Sequence, residues 1–189
     1  MALGPTRMTD LEAPVPITVV ASRPMVDMVA AIYDAHQREL FTFALRACRD
    51  REVAEDLVHE SYLRLIVEIQ DGGAPSNVRA WLYRVTANQA ITRGRRANVA
   101  QKWQGQLGPG QTTQDPESEF LDHERASELD HALAELPVDT RTALLMAASG
   151  FAGQEIATAI GRTDSATRSL LSRARLGLRD RLAAMRSPA

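Results

Sequence analysis

An all-α chain of two small helical domains joined by a flexible linker is predicted by three features of the 189-residue sequence. Aromatic residues make up only 5%, and alanine, leucine, arginine and glutamate dominate, a usage that favours helix. Apolar residues recur at helical spacing in two separate blocks. Between the blocks, Gly105 to Pro116 is rich in Gly, Gln, Thr and Pro and carries no sustained period, as expected of a linker. The length suits one domain or two small ones, and 44% hydrophobic against 24% charged content is that of an ordinary folded protein.

The elements follow in order. Residues 1–24 contain Pro5, Pro14, Pro16 and Pro24, and Ile17–Ala21 is too short for a signal-peptide core; they read as a flexible leader. The first domain, residues 25–98, opens with a helix whose apolar face is Met28, Ile32, Leu40, Phe43 and Ala47. Asp50 can cap the second helix, with Val53, Leu57, Tyr62, Leu65, Ile66 and Ile69 as its buried stripe. Gly72-Gly73-Ala74-Pro75 ends it. Asn77 suits the N-cap of a third helix packed through Trp81, Leu82, Val85 and Ile91, and the pattern fades past Arg96.

Residues 99–126 form the linker, and helix resumes within its acidic end, where Leu121, Leu129, Leu133 and Leu136 are spaced for it. In the second domain, residues 127–185, Pro137 suits the first turn of a helix that runs over Thr140–Ser149 and stops at Gly150. Glu155–Ile160 is a short helix, Gly161 supplies its C′ turn, and Thr163 or Asp164 caps a last helix reaching about Met185. Helix, tight glycine turn and helix at this spacing make a helix-turn-helix. Residues 186–189 are a tail.

Net charge is only −2, but its distribution is uneven. Val78 to Lys102 holds six basic residues and no acid; Arg162 to Arg181 holds six arginines against Asp164 and Asp180. Between them, Asp115 to Asp130 has seven acids and one base, Arg125. Two basic blocks flanking an acidic one suggest two phosphate-facing surfaces separated by a segment that is not one.

An enzyme is disfavoured. His36, His59, His123, His131 and the single Cys48 are scattered, without metalloprotease, P-loop or nucleophile-elbow spacing. No catalytic residue, metal site or cofactor is expected, and one cysteine excludes an internal disulfide. Cys48 reads as a small buried hydrophobe rather than a redox sensor. No stretch approaches the roughly 20 apolar residues of a membrane span, so the chain is expected in the cytoplasm without membrane insertion.

On the last helix, Thr167, Leu171, Ala174 and Leu178 form one stripe, suited to packing on Ile156 and Ile160. The other side presents Arg168, Ser169, Ser172 and Arg173, followed by Arg175 and Arg179. A helix in the DNA major groove needs this division, with an apolar back, arginines for guanine edges and phosphates, and small hydroxyls for close approach. The same pattern alone also describes an arginine-rich solvated helical hairpin. The run Leu136-Pro137, Arg141-Thr142-Ala143-Leu144-Leu145, Gly150-Phe151, Glu155-Ile156-Ala157, Gly161 and Ser172-Arg173-Ala174-Arg175 resembles region 4 of the extracytoplasmic-function group of RNA polymerase sigma factors. The resemblance implies that this domain binds the −35 promoter element through Arg168, Ser169, Ser172, Arg173 and Arg175. Three departures stand out. Leu170 replaces a usual basic residue, Ala152-Gly153 replaces a Ser-aromatic pair and its N-cap hydroxyl, and Met146 to Ser149 lacks the common charges.

In the first half, Ala54-Glu55-Asp56-Leu57-Val58-His59-Glu60-Ser61-Tyr62-Leu63-Arg64 resembles region 2.2 of the same family. The resemblance implies docking on the β′ clamp helices of core RNA polymerase through Glu55, Asp56, His59 and Glu60. Taken alone, that acidic face reads rather as a solvated one without a partner. Arg79-Ala80-Trp81-Leu82-Tyr83-Arg84-Val85-Thr86-Ala87-Asn88, ending in Arg93-Gly94-Arg95-Arg96, resembles regions 2.3 and 2.4. Arg79, Arg84, Asn88, Arg93, Arg95 and Arg96 are then implied in binding and melting the −10 element, while Trp81 reads as core. The preceding loop, residues 70–77, lies where the family holds a flipped-out base, and such a base needs a capturing pocket.

The two matched stretches stand in the family's order with a fitting linker between them, which a generic helix-turn-helix regulator would lack. The implied function is a sigma factor that binds core polymerase and promoter DNA and directs initiation. The resemblance also implies that the acidic linker, about Gln101 to Arg125, threads toward the polymerase active-site channel; composition reads it equally as a solvated tether. An anti-sigma factor is an implied partner. A promoter-binding regulator that never engages polymerase is the first rival, but the first half offers it no sensor pocket or receiver-type strand pattern.

Overall fold

The computed structural model describes residues 23–104 and 128–186, the side chains of 98–104 and 186 excepted. Residues 1–22 of the expected leader (1–24), 105–126 of the expected linker (99–126, with Leu121), residue 127 of the second domain and 187–189 of the tail (186–189) therefore lie outside the described residues. All regular structure described is helical: α1 (Arg23–Cys48), α2 (Arg51–Gly72), α3 (Val78–Gln104), a short stretch at 128–134 (α4), α5 (Val138–Ala148), α6 (Gly153–Ile160) and α7 (Asp164–Arg186).

Helix α1 buries Leu40, Phe43, Ala44 and Ala47, with Ile32 half-buried. Met28 departs from expectation and is exposed. Half-buried Met25, Val29, Ile32 and His36 define the inward stripe at that end, and at about 100° per residue Met28 falls beside it. Arg49 ends the helix with φ 64°, a left-handed turn normally left to glycine. Asp50 then caps α2, its Oδ1 accepting from the Val53 amide at 3.0 Å. The tight turn lays α2 back against α1, and Leu57 and Leu65 become fully buried. Each such leucine contributes about 1.5–3 kcal/mol through removal of apolar surface from water. Gly73, at φ 96°, closes α2.

Asn77 caps α3 by accepting from the Ala80 amide at 3.0 Å. The helix buries Leu82, Tyr83, Ala87, Ala90 and Ile91, while Trp81 is half-buried against the core. Beneath them the Ser61 and Thr86 hydroxyls pair at 2.8 Å, and Ser61 donates to the Leu57 carbonyl at 2.7 Å. The helix continues to Gln104, beyond the expected fade at Arg96. No proline or glycine falls between Gly94 and Gly105, so the helix persists where its apolar period ends.

In the second half Pro137 takes the N-cap of α5 rather than its first turn. Helix α6 begins at Gly153, two residues earlier than expected. Its N-cap Ala152 has no accepting side chain, but Glu155 reaches back to accept from the Ala152 amide at 2.8 Å, supplying half of a capping box. Gly161, at φ 67°, turns the chain into α7, where Thr163 accepts from the Ala166 amide at 3.2 Å. Thr167, Leu171 and Ala174 are buried and Leu178 is partly so. The core residues of both halves form one continuous cluster, from Leu40 and Leu57 through Tyr83 and Phe151 to Ile156 and Leu171. Cys48 packs at its edge, half-buried, and burial pushes its thiol up.

Candidate nucleic-acid interface

Three helical faces and one seam carry the candidate residues. On α7 the buried stripe fixes the rotation of the helix, so Arg168, Ser169, Ser172, Arg173, Arg175 and Arg179 all face solvent. Arg168 pairs with Asp164 one turn earlier at 3.1 Å and stays 72% exposed. Arg173 donates Nε to the Ser169 carbonyl at 3.2 Å. Leu170 packs partly against the core.

On α3 the six expected residues separate. Arg84, Asn88 and Arg95 are exposed and fall within an arc of about 40°, with Arg96 flanking it. The first three form a polar stripe open to solvent, and Arg96, also exposed, lies about 80° to one side of it. Arg93 lies on another side and pairs with Asp56 of α2 at 3.3 Å. Arg79 lies about 40° from Arg93, on that same side. Its Nε and Nη2 donate to the two carboxylate oxygens of Glu39 on α1 at 2.9 and 3.2 Å, and Nη2 also donates to the Ser149 carbonyl at 3.2 Å. Burial pushes Glu39 up, but the hydrogen bonds from Arg79 and His36 outweigh it and hold the carboxyl below its usual range.

On α2, Glu55, Asp56 and His59 are exposed and Glu60 is half-exposed. Glu55 accepts from Arg51 at 3.0 Å and Glu60 from Arg64 at 2.8 Å, each one helical turn away. The same face continues into Leu63 and Val67, exposed at 45% and 39%. These two were missed in the sequence, although they stand four and eight residues after His59.

The seam joins the halves. The Phe43, Tyr83 and Phe151 rings follow one another at 4.7 and 4.6 Å, and the Arg79 guanidinium lies 5.0 Å from the Tyr83 ring centre and 4.7 Å from that of Phe151. Arg141 of α5 is buried and donates to the Ala47 carbonyl at the end of α1. At Gly94 of α3 a Cβ would meet Val138 Cγ1 at 2.9 Å. Among the described residues no group of histidine, cysteine and carboxylate side chains could hold a metal ion, and no helix is long and apolar enough to cross a membrane.

Residues 32–99 match the family model of sigma-70 region 2, and residues 126–178 that of sigma-70 region 4. The chain is 32% identical over 159 residues to the ECF RNA polymerase sigma factor SigL of Mycobacterium tuberculosis, covering 80% of this chain and 87% of that one. It is 31% identical over 155 residues to EcfG of Rhodopseudomonas palustris, covering 80% and 83%. Among solved structures it is similar to the sigma factor RpoE from Bartonella quintana, crystallised with the anti-sigma factor NepR. That likeness has a TM-score of 0.65 and 25% identity, and covers 86% of this chain and 98% of that one.

Proposed function

The chain belongs to the extracytoplasmic-function group of RNA polymerase sigma factors, and from that premise we propose how its surfaces divide the direction of promoter-specific initiation. Residues 25–98 form the unit that docks on core polymerase and opens the −10 element. Residues 127–185 read the −35 element, and 99–126 connect them. The carrying observation is the division of α7, an apolar back on α5 and α6 with Arg168, Ser169, Ser172, Arg173 and Arg175 outward. Arginine forks suit guanine edges and phosphates there, and the two serines let the backbone approach.

Arg84, Asn88, Arg95 and Arg96 of α3 hold the −10 strands, with Arg79 and Arg93 joining once released from Glu39 and Asp56. The flipped base is received by the loop between α2 and α3, where Gly72 and Gly73 leave open space. Glu55, Asp56, His59 and Glu60 dock on the β′ clamp helices, their acidic charge steering the approach of a basic partner, and Leu63 and Val67 add apolar contact. The role is binding and strand opening without a reaction of the chain's own, and it is exercised in the cytoplasm beside polymerase. An anti-sigma factor is a further partner, supported by the complex in which the similar RpoE was solved. Run-off transcription with purified core polymerase over a promoter library tests the whole reading: selective initiation at some promoters is expected, and initiation at none rejects it.

A further inference from the structure

We infer that Asp164, seated against Gly153 at the start of α6, is a positioning residue that aims Arg168 at base edges and so sets how sharply α7 discriminates between −35 sequences. This rests on the sigma-factor reading above, in which Arg168 contacts the −35 element.

The outward arginines of α7 are held in different ways. Arg173 donates Nε to a carbonyl of its own helix, that of Ser169, and Arg179 pairs with its neighbour Asp180 at 3.1 Å. Arg168 is held by a carboxylate that also reaches a second helix. Asp164 Oδ2 lies 3.1 Å from Arg168 Nη2, and Asp164 Oδ1 lies 3.3 Å from the point a Cβ on Gly153 would occupy. A side chain at 153 would press on that carboxylate, so the glycine gives it its seat.

Asp164 stands in the first turn of α7, where the helix dipole favours negative charge. An acid four residues ahead of an arginine is also the favourable order for a helical ion pair. Those two effects suit any helix start and need no contact with α6. The seat at Gly153 adds a fixed direction, since it holds the carboxylate from the side away from Arg168.

A guanidinium has five N–H donors in a planar fork, and the ion pair engages it at Nη2. Arg168 is still 72% exposed, with donors left over for the O6 and N7 acceptors of a guanine. Two consequences follow from the pairing. The fork is oriented before DNA arrives, which lowers the ordering cost of the contact. The pair is also neutral, so Arg168 adds little to the sequence-blind attraction of phosphates. It gains chiefly where a base edge meets the fork, whereas an untethered arginine would swing to the nearest phosphate on any sequence.

The test uses the full chain bound to core polymerase, with a promoter taken from the run-off library and copies of it substituted in the −35 element. The readout is the ratio of affinities for the two, with the salt dependence of each. Asp164→Ala should lower the ratio about threefold or more, the scale of coupling between touching residues, mainly by strengthening binding to the substituted copies. It should steepen the fall of log affinity with log salt by up to about one. In an Arg168→Ala background the same change should leave the ratio where Arg168→Ala alone puts it. Gly153→Val, which keeps the charge but crowds the carboxylate, should lower the ratio in the same direction. A ratio unmoved by Asp164→Ala overturns the inference, and so does an equal loss with and without Arg168. A loss that appears only with a lower melting temperature marks a helix-start residue and overturns it as well. Gly153→Val at the wild-type ratio removes the seat on α6 and with it the aiming. If the wild-type complex prefers no −35 sequence at all, the sigma-factor reading of α7 is what fails, and the inference falls with it.

Discussion

Arg141 donates Nε and Nη2 to a single acceptor, the carbonyl oxygen of Ala47, at 3.0 and 2.6 Å across 94 residues of chain. Ala47 lies in the last turn of α1, whose carbonyls have no partner within the helix, so an arginine from α5 completes a helix end in the other unit. The negative end of the α1 dipole also favours a cation there. Neither half is finished at that point without the other.

Replacing Arg141 with alanine leaves the Ala47 and Ala134 carbonyls without their donor. An unsatisfied buried polar group costs about 1–3 kcal/mol, so unfolding free energy from urea titration should fall by that amount. Arg141→Lys should recover only part of it, because one ammonium cannot reproduce the fork. An unchanged urea midpoint in Arg141→Ala would show the contact to be idle.

The local part of the architecture was legible because its signals are short-range. Asp50, Asn77 and Gly161 each act within three or four residues and are legible from position alone; for α7 position leaves Thr163 or Asp164 as the cap, and the structure has Thr163 accepting from the Ala166 amide. The period on α7 likewise specifies which residues face outward. Arg79 and Arg93 were not legible in the same way. Their sequence context is that of the free arginines beside them, and what distinguishes them is Glu39, 40 residues earlier, and Asp56, 37 residues earlier. Arg141 gave a weak sign, a lone charge in the run Thr140 to Ala148. The bounds of α3 failed for a different reason, since apolar periodicity reports burial and falls silent where a helix runs on into solvent.

Charge reversal at Asp56 and Glu60 should weaken core-polymerase binding severalfold or more. It should leave the fold intact, because the pairs with Arg93 and Arg64 are exposed and such pairs contribute about 0–1 kcal/mol. Leu63→Asp should add to the defect without lowering stability, as the side chain is 45% exposed. Core affinity measured by fluorescence anisotropy checks both; undiminished affinity in the double reversal would move the docking face elsewhere.

Arg168→Ala and Arg173→Ala should each weaken promoter binding by about 1–3 kcal/mol, the worth of a good base contact. Melting temperature should hold, since neither side chain enters the core. A gel-shift titration at fixed salt distinguishes base from phosphate contact. Loss of discrimination between promoter variants marks the former, and uniform weakening with a shallower salt dependence the latter.

The α1–α3 pair should also respond to acid. Burial pushes Glu39 up, but hydrogen bonds from Arg79 and His36 outweigh it and hold the carboxyl below its ordinary value. A carboxylate depressed in the folded state contributes stability that is complete above its ordinary value and is lost as pH falls through the depressed one. Unfolding free energy from urea titration, measured across pH 3–6 (about the carboxylate range), should therefore fall at the acid end. Glu39→Gln removes the titrating group, so its stability should begin lower and fall less across the same window. A parallel fall in both proteins would assign the acid response to other carboxylates and leave the Glu39–Arg79 pair without a part in holding α1 on α3.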